Sequence, residues 1–176
     1  MAAVYGIINN HDGRISIDSE PGKGTRVHVY LPAVNVQIKK EEKPMTKLQK
    51  GTGTILLIED EETVMDVSHA MLERLGYRVL KAETGNKAVN TAKNFEGKID
   101  LAILDVMLPD MSGKTIYPLL MEARPDLKVI VCSGYSSDGP AQDILNAGAE
   151  YFIQKPFSIN ALSESLKEVL GKDSTY

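Results

Sequence analysis

Residues 54–62 read TILLIEDEE and residues 101–113 read LAILDVMLPDMSG, two short apolar runs that each stop abruptly at carboxylates. Runs of this kind, bounded by polar residues, are how strands buried on both faces look in sequence. Similar runs recur at Arg78–Lys81, Val129–Cys132 and Tyr151–Gln154, with amphipathic segments between them. Strand alternating with helix gives a parallel sheet covered on both faces. The sequence therefore predicts five βα units, with strands Thr54–Ile58, Arg78–Lys81, Leu101–Leu104, Val129–Cys132 and Tyr151–Gln154. The first helix, about Thr63–Leu75, is expected to present Val64, Val67, Met71 and Leu75 on one face and to stop at Gly76. The last starts after Ser158, presents Leu162, Leu166 and Val169, and is expected to stop at Gly171. Pro140 suits the first turn of the fourth helix, whereas Pro118 lies inside the third and predicts a kink or a late helix start.

Upstream of this alternation the pattern changes. Val4, Ile7 and Ile8 recur at helical spacing, and then Ile15/Ile17 and Val27/Val29/Leu31 alternate with polar residues, predicting a helix and a β-hairpin. Glu20-Pro21-Gly22-Lys23-Gly24 is the turn between the strands. Residues 1–33 are too few to form a stable domain alone and read as the end of something larger. Residues 34–52 read as a linker: from Lys39 onward they hold five lysines and two glutamates with few large apolar side chains. Residues 53–172 form the main domain and 173–176 a short tail.

Composition excludes several classes. With 20 basic and 24 acidic residues the formal charge is −4, the wrong sign for a nucleic-acid binder. No apolar run approaches the roughly 18 residues needed to span a bilayer. The first residues lack the basic and apolar regions of a secretory signal, so a cytoplasmic chain without membrane contact is expected. One cysteine permits no internal disulfide, and Cys132, inside an apolar strand, reads as a core residue. The histidines carry no metal-site spacing; His69 and His28 are expected to face solvent and His11 to sit in a turn.

In an open α/β sheet the ligand site lies at the carboxyl ends of the strands. Strand one is followed by Glu59-Asp60-Glu61-Glu62, strand three by Asp105, strand four by Ser133 and strand five by Lys155-Pro156. Carboxylates gathered at one point repel each other, and a hard divalent cation with a nearby ammonium group is the natural compensation. Mg²⁺ is the candidate, because it takes oxygen ligands and retains waters and phosphate oxygens. Ser133 and Lys155 would then bind the same phosphoryl group.

The ordered set LLIEDEE, LAILDVMLPDMSG, VIVCSGYS and YFIQKPF, each at a strand end, resembles the receiver domain of two-component response regulators over Thr54–Leu170. The resemblance implies an α/β, doubly wound, five-stranded parallel sheet of flavodoxin-like order 2-1-3-4-5, with the helix and hairpin fragment in front of it. It implies Asp105 as phosphoacceptor, Glu59 and Asp60 as the acidic pair for Mg²⁺, and the Met107 backbone carbonyl as a further ligand. Ser133 and Lys155 would contact the phosphoryl group, and Phe152 would be the aromatic switch responding to Ser133. Lys155-Pro156 is expected to be cis, and Met107 and Tyr135 to govern water access to the acyl phosphate. Glu59 stands where Asp is commoner in the family, Ser133 where Thr is frequent and Gly134 where Ala is usual.

VYGIINNHDGRISIDSEPGKGTRVHVYLP is similar to the end of the ATP-binding domain of sensor histidine kinases. Together the two resemblances imply the C-terminal piece of a hybrid histidine kinase that lacks the kinase core. Such a receiver would catalyse only its own phosphorylation and slow dephosphorylation. The implied partners are a histidine kinase core or a histidine phosphotransfer protein, and the unpaired hairpin edges are further expected either to self-associate or to pack against the receiver.

Other classes fit less well. A haloacid-dehalogenase-type phosphatase needs a second Asp two residues after its nucleophile, and here that residue is Met107. A flavodoxin-like cofactor binder would place a hydroxyl- and glycine-rich loop where this chain has four carboxylates. A receiver-like interaction module that is never phosphorylated remains the alternative.

Overall fold

The computed structural model describes residue 8 and residues 11–33, 50–134 and 139–171. The chain divides into two units, residues 1–42 and 43–176.

In the first unit, β1 (Arg14–Glu20) and β2 (Gly24–Tyr30) pair antiparallel, with Ile15 opposite Val29 and Ile17 opposite Val27. Gly22 and Gly24 hold φ of 77° and 96° in the turn, conformations that glycine adopts without strain. The apolar side chains are not packed away, since Ile17, Val27 and Val29 are 45%, 50% and 51% exposed. His28 keeps a side chain that is 41% exposed, its ring stacked on Tyr30 two residues along the strand. A two-stranded ribbon has too little surface to bury both faces, so the apolar face lies open. Of the expected leading helix only Ile8 is among the described residues, where it is helical and buried; Val4 and Ile7 lie outside them.

The second unit runs β3 (Thr54–Ile58), α1 (Glu62–Arg74), β4 (Arg78–Ala82), α2 (Gly85–Asn94), β5 (Leu101–Asp105), α3 (Gly113–Ala123), β6 (Lys128–Ser133), α4 (Pro140–Asn146), β7 (Tyr151–Gln154) and α5 (Ile159–Gly171). All neighbouring strands are parallel, in the order β4-β3-β5-β6-β7, which is 2-1-3-4-5 counted within this unit. Successive strand residues point to opposite faces. Leu56, Ile58, Leu104 and Val131 therefore pack on one side with Ala88, Ile116, Leu120 and Ile144, and Ile55, Leu57, Ile103 and Ile130 on the other with Met65, Leu72, Leu162 and Leu166.

Three expectations need correction. The buried stripe of α1 is Met65, Ser68 and Leu72, continuing to Leu75, whereas Val67 is 51% exposed. The helix accepts a small buried serine on its inner face, which leaves Val64, Val67 and Met71 on an open apolar groove with Pro156 and Phe157. Gly76 does end the first helix, at φ 94°, but Gly171 is itself the last helical residue of α5. Of the two outcomes expected from Pro118, the late start does not occur: Gly113 opens α3 and Pro118 lies in its middle.

The end of the expected linker is fastened to this unit, where the Gly51 N–H donates to Leu75 O at 2.8 Å; just beyond it the Thr54 N–H, at the start of β3, donates to Asp100 Oδ2 at 2.8 Å. Residues 34–49 lie outside the described residues. Among the described residues no helix is long and apolar enough to cross a membrane.

Candidate functional site

Parallel strands deliver their carboxyl ends to one edge of the sheet, and the polar residues found there follow from where each apolar run stops. Beyond β3 the Glu59 N–H still donates to Ala82 O at 3.1 Å, so the backbone extends the ladder while the side chain turns from apolar to acidic. Asp105 ends β5, paired in register with Cys132, and Ser133 ends β6. The Lys155 N–H donates to Ser133 O at 2.8 Å, tying the segment after β7 to the end of β6. That backbone bond aims the Lys155 side chain across the edge of the sheet. Its ammonium group donates to Glu59 Oε2 and, at 2.8 Å, to Asp105 Oδ2.

The charged groups are largely hidden. Glu59 is 4% exposed, Asp105 9% and Ser133 5%, whereas Asp60 is open to solvent. Glu59, Asp60 and Asp105 each offer an oxygen within 4.8 Å of the other two. Burial pushes the Glu59 carboxyl above the ordinary carboxylate range, although its bond to Lys155 works the other way. Burial also disfavours the Lys155 ammonium, but the bonds it makes to Asp105 and Glu59 outweigh that and raise its pKa. Burial pushes the Cys132 thiol up as well, which keeps it protonated, as a core residue should be.

The loop after β5 is folded back on itself. The Met107 N–H donates to Asp105 Oδ1 at 3.3 Å, Met107 bridges Ser112, and the Gly113 N–H donates to Val106 O at 2.9 Å. Met107 itself is 63% exposed. Phe152, on the edge strand β7, is partly buried against the face that carries α2, α3 and α4. The Lys155-Pro156 bond is cis, as the sequence led one to expect. Tyr135 lies outside the described residues.

The donor set suits a hard cation. Every candidate ligand atom is an oxygen, and one ammonium against three carboxylates leaves a surplus of negative charge that a divalent ion would match. Such an arrangement can hold Mg²⁺ and receive an anionic group beside a nucleophilic carboxylate.

Two residues that hold α2, one of them from this loop, escaped the sequence reading. Asp110 accepts from the Gly85 N–H and the Asn86 N–H at the start of α2, both at 2.9 Å. The Arg124 guanidinium donates to the Ala92, Phe95 and Gly97 carbonyls at the end of the same helix. Neither residue's bonds have a local signature, because the partners lie 24 or more residues away in the chain.

Residues 55–167 match the response regulator receiver domain family. Sensor kinase CckA of Brucella abortus (strain 2308) is 35% identical over 182 residues, an alignment that takes in 98% of this chain and 19% of that protein. Aerobic respiration control sensor protein ArcB of Escherichia coli (strain K12) is 32% identical over 96% of this chain and 22% of its own length. The chain thus spans about a fifth of the length of these curated relatives. Among solved structures, the receiver domain of a sensor histidine kinase from Pseudomonas aeruginosa PAO1 has a magnesium ion coordinated in its active site cleft. It is 28% identical with a TM-score of 0.62 and covers 69% of this chain and 99% of its own.

Proposed function

This chain belongs to the response regulator receiver domain family, whose members are phosphoacceptors of two-component signalling, and from that premise we propose that Asp105 is the residue phosphorylated here. The observation that carries the reading is the Lys155 ammonium bound to Glu59 and Asp105 together, with Asp60 completing the acidic cluster.

Glu59, Asp60 and Asp105, with the Met107 carbonyl, would hold Mg²⁺. When bound, the ion supplies charge neutralisation for the incoming phosphoryl oxygens. The chain's own residues do the rest. A carboxylate oxygen of Asp105 attacks the phosphorus of a phosphohistidine; the O–P bond forms, the N–P bond breaks, and the imidazole leaves with a proton from solvent. Lys155 already touches Asp105 Oδ2, so it is placed to pair with the transferred group. The Ser133 hydroxyl, at the neighbouring strand end, donates to a phosphoryl oxygen. The half-buried Phe152 changes its packing in response, which alters the face it shares with α4 and so shifts partner affinity.

The phosphodonor is a histidine kinase core or a histidine phosphotransfer protein. The open groove of Val64, Val67, Met71, Pro156 and Phe157 supports this, because it sets apolar surface beside Lys155 for the donor to rest on. Residues 1–33 are read as the closing piece of a histidine kinase ATP-binding domain. The alignment with a sensor kinase over 98% of the chain supports that assignment. The exposed valines of the hairpin favour self-association, which sedimentation velocity would report as a dimer.

The test is intact-protein mass after incubation with acetyl phosphate. A single phosphoryl adduct is expected that requires Mg²⁺ and disappears in Asp105→Asn. No adduct on a folded, Mg²⁺-binding chain would overturn the reading in favour of an unphosphorylated interaction module.

A further inference from the structure

The loop between β5 and α3 holds the Met107 carbonyl, and its far side is pinned to a helix that has no residue in the site. Asp110 reaches across to the first turn of α2, accepting from the Gly85 N–H, the Asn86 N–H and the Asn86 side-chain amide at 3.0 Å. Helix N-termini carry unpaired N–H groups and the positive end of the dipole, so a carboxylate is favoured there. These backbone bonds hold the Asp110 carboxyl below its usual range. The first turn has a second acceptor of its own: Thr84 Oγ1 takes the Lys87 N–H at 3.2 Å. Asp110 is therefore not a lone cap for α2 but a tie between the helix and the loop.

The packing agrees. A Cβ placed on Gly85 would collide with the Met111 side chain and meet Ile116 Cδ1 at 2.8 Å, so the loop sits against the backbone of the helix with no room between. A Cβ on Gly113 would lie 3.2 Å from Val106 Cα, so the loop's two ends are equally close. At its other end α2 is held by Arg124, the residue that follows α3. The loop is thus closed by the Gly113–Val106 bond and tied to the start of α2 by its own Asp110.

We propose that Asp110 is a positioning residue for the metal site: by tying the β5–α3 loop to the start of α2 it fixes the loop that presents the Met107 carbonyl beside Asp105. The proposal rests on the reading that this site binds Mg²⁺. Substituting outer partners of metal ligands weakens affinity about 10- to 100-fold in known sites.

The experiment is calorimetric titration of the full chain with Mg²⁺, comparing wild type with Asp110→Ala, Asp110→Asn and Arg124→Ala, alongside urea denaturation of each. Arg124→Ala releases the opposite end of the same helix and is the control for a merely structural effect. Asp110→Ala is expected to weaken Mg²⁺ binding about tenfold. Asp110→Asn, which keeps one acceptor oxygen, should fall between it and wild type, and Arg124→Ala should bind as wild type does. Amide exchange at Met107 should accelerate in Asp110→Ala and not in Arg124→Ala. Equal affinity in wild type and both Asp110 variants, or an equal loss in Arg124→Ala, would overturn the proposal while leaving the Mg²⁺ reading in place. A wild-type chain that binds no Mg²⁺ would overturn both.

Discussion

Leu56 and Glu59 lie three residues apart in the chain and are almost equally hidden, at 0% and 4% exposure, yet one is hydrocarbon and the other a carboxylate. The same contrast separates Leu104 from Asp105, and Cys132 from Ser133. The interior residues of β3, β5 and β6 pack against helices on both faces, whereas Glu59 and Asp105 at the ends of β3 and β5 enter a polar cluster built around Lys155. Burial of hydrocarbon stabilises a fold, while burial of charge costs free energy unless partners are present. The sheet therefore divides its work by position: interiors supply stability, and ends hold the charged groups that the proposed function uses.

The division can be broken most forcefully from the interior. Leu56→Ala should lower the unfolding free energy by about 2 to 5 kcal/mol, the usual range for a fully buried leucine. Urea denaturation followed by circular dichroism measures this. The folded fraction should keep its Mg²⁺ affinity, and a large loss of affinity at constant folding would contradict the division.

At the strand ends, Lys155→Ala leaves Glu59 and Asp105 facing each other without their shared cation. Removing one partner of a buried charge cluster costs about 3 kcal/mol. The loss should appear in metal-free buffer and shrink when Mg²⁺ is added, since the ion replaces the missing positive charge. A loss independent of Mg²⁺ would mean that Lys155 serves packing rather than charge balance.

Glu59→Gln sharpens the comparison through pH. The folded-state pKa of Glu59 is raised, chiefly by burial, so the folded chain holds this proton more tightly than the unfolded chain does. The associated stability is complete below the unfolded value of 4.5 and is lost as pH rises through the folded pKa. Gln does not titrate. In metal-free buffer the stability of Glu59→Gln relative to wild type should therefore increase as the pH rises above 4.5 and level off once Glu59 is ionised in the folded chain. A pH-independent difference would place the carboxylate in a water-like environment.

The hairpin of residues 14–30 gives the smallest effect. Val29 is half exposed, so Val29→Thr should change the stability of the second unit by less than about 0.5 kcal/mol. A larger change would require the hairpin to be energetically coupled to the sheet.

How much of this was legible in sequence follows from the same contrast. The strands were readable to within a residue at each end because both faces are apolar, so the run length is the strand length. Glu59, Asp60, Asp105, Ser133 and Lys155 were readable because each apolar run stops at one of them. The inner face of α1 was not. Val64, Val67 and Met71 form as good an apolar stripe as Met65, Ser68 and Leu72, and periodicity alone gave the wrong one because a serine occupies the centre of the right one. Asp110 and Arg124 were missed for another reason: their partners are backbone groups on a helix distant in sequence, and such bonds leave no residue pattern. The hairpin alternates as cleanly as any strand, but alternation reports a face and not what covers it.

The central claim is that Asp105 receives the phosphoryl group. An aspartyl phosphate is reduced by borohydride to homoserine, which marks the modified position permanently. Treating the chain with acetyl phosphate and Mg²⁺, reducing it and mapping its peptides by mass spectrometry should give homoserine at position 105 and nowhere else. Homoserine at position 60, or at no position in a folded chain, would contradict the account.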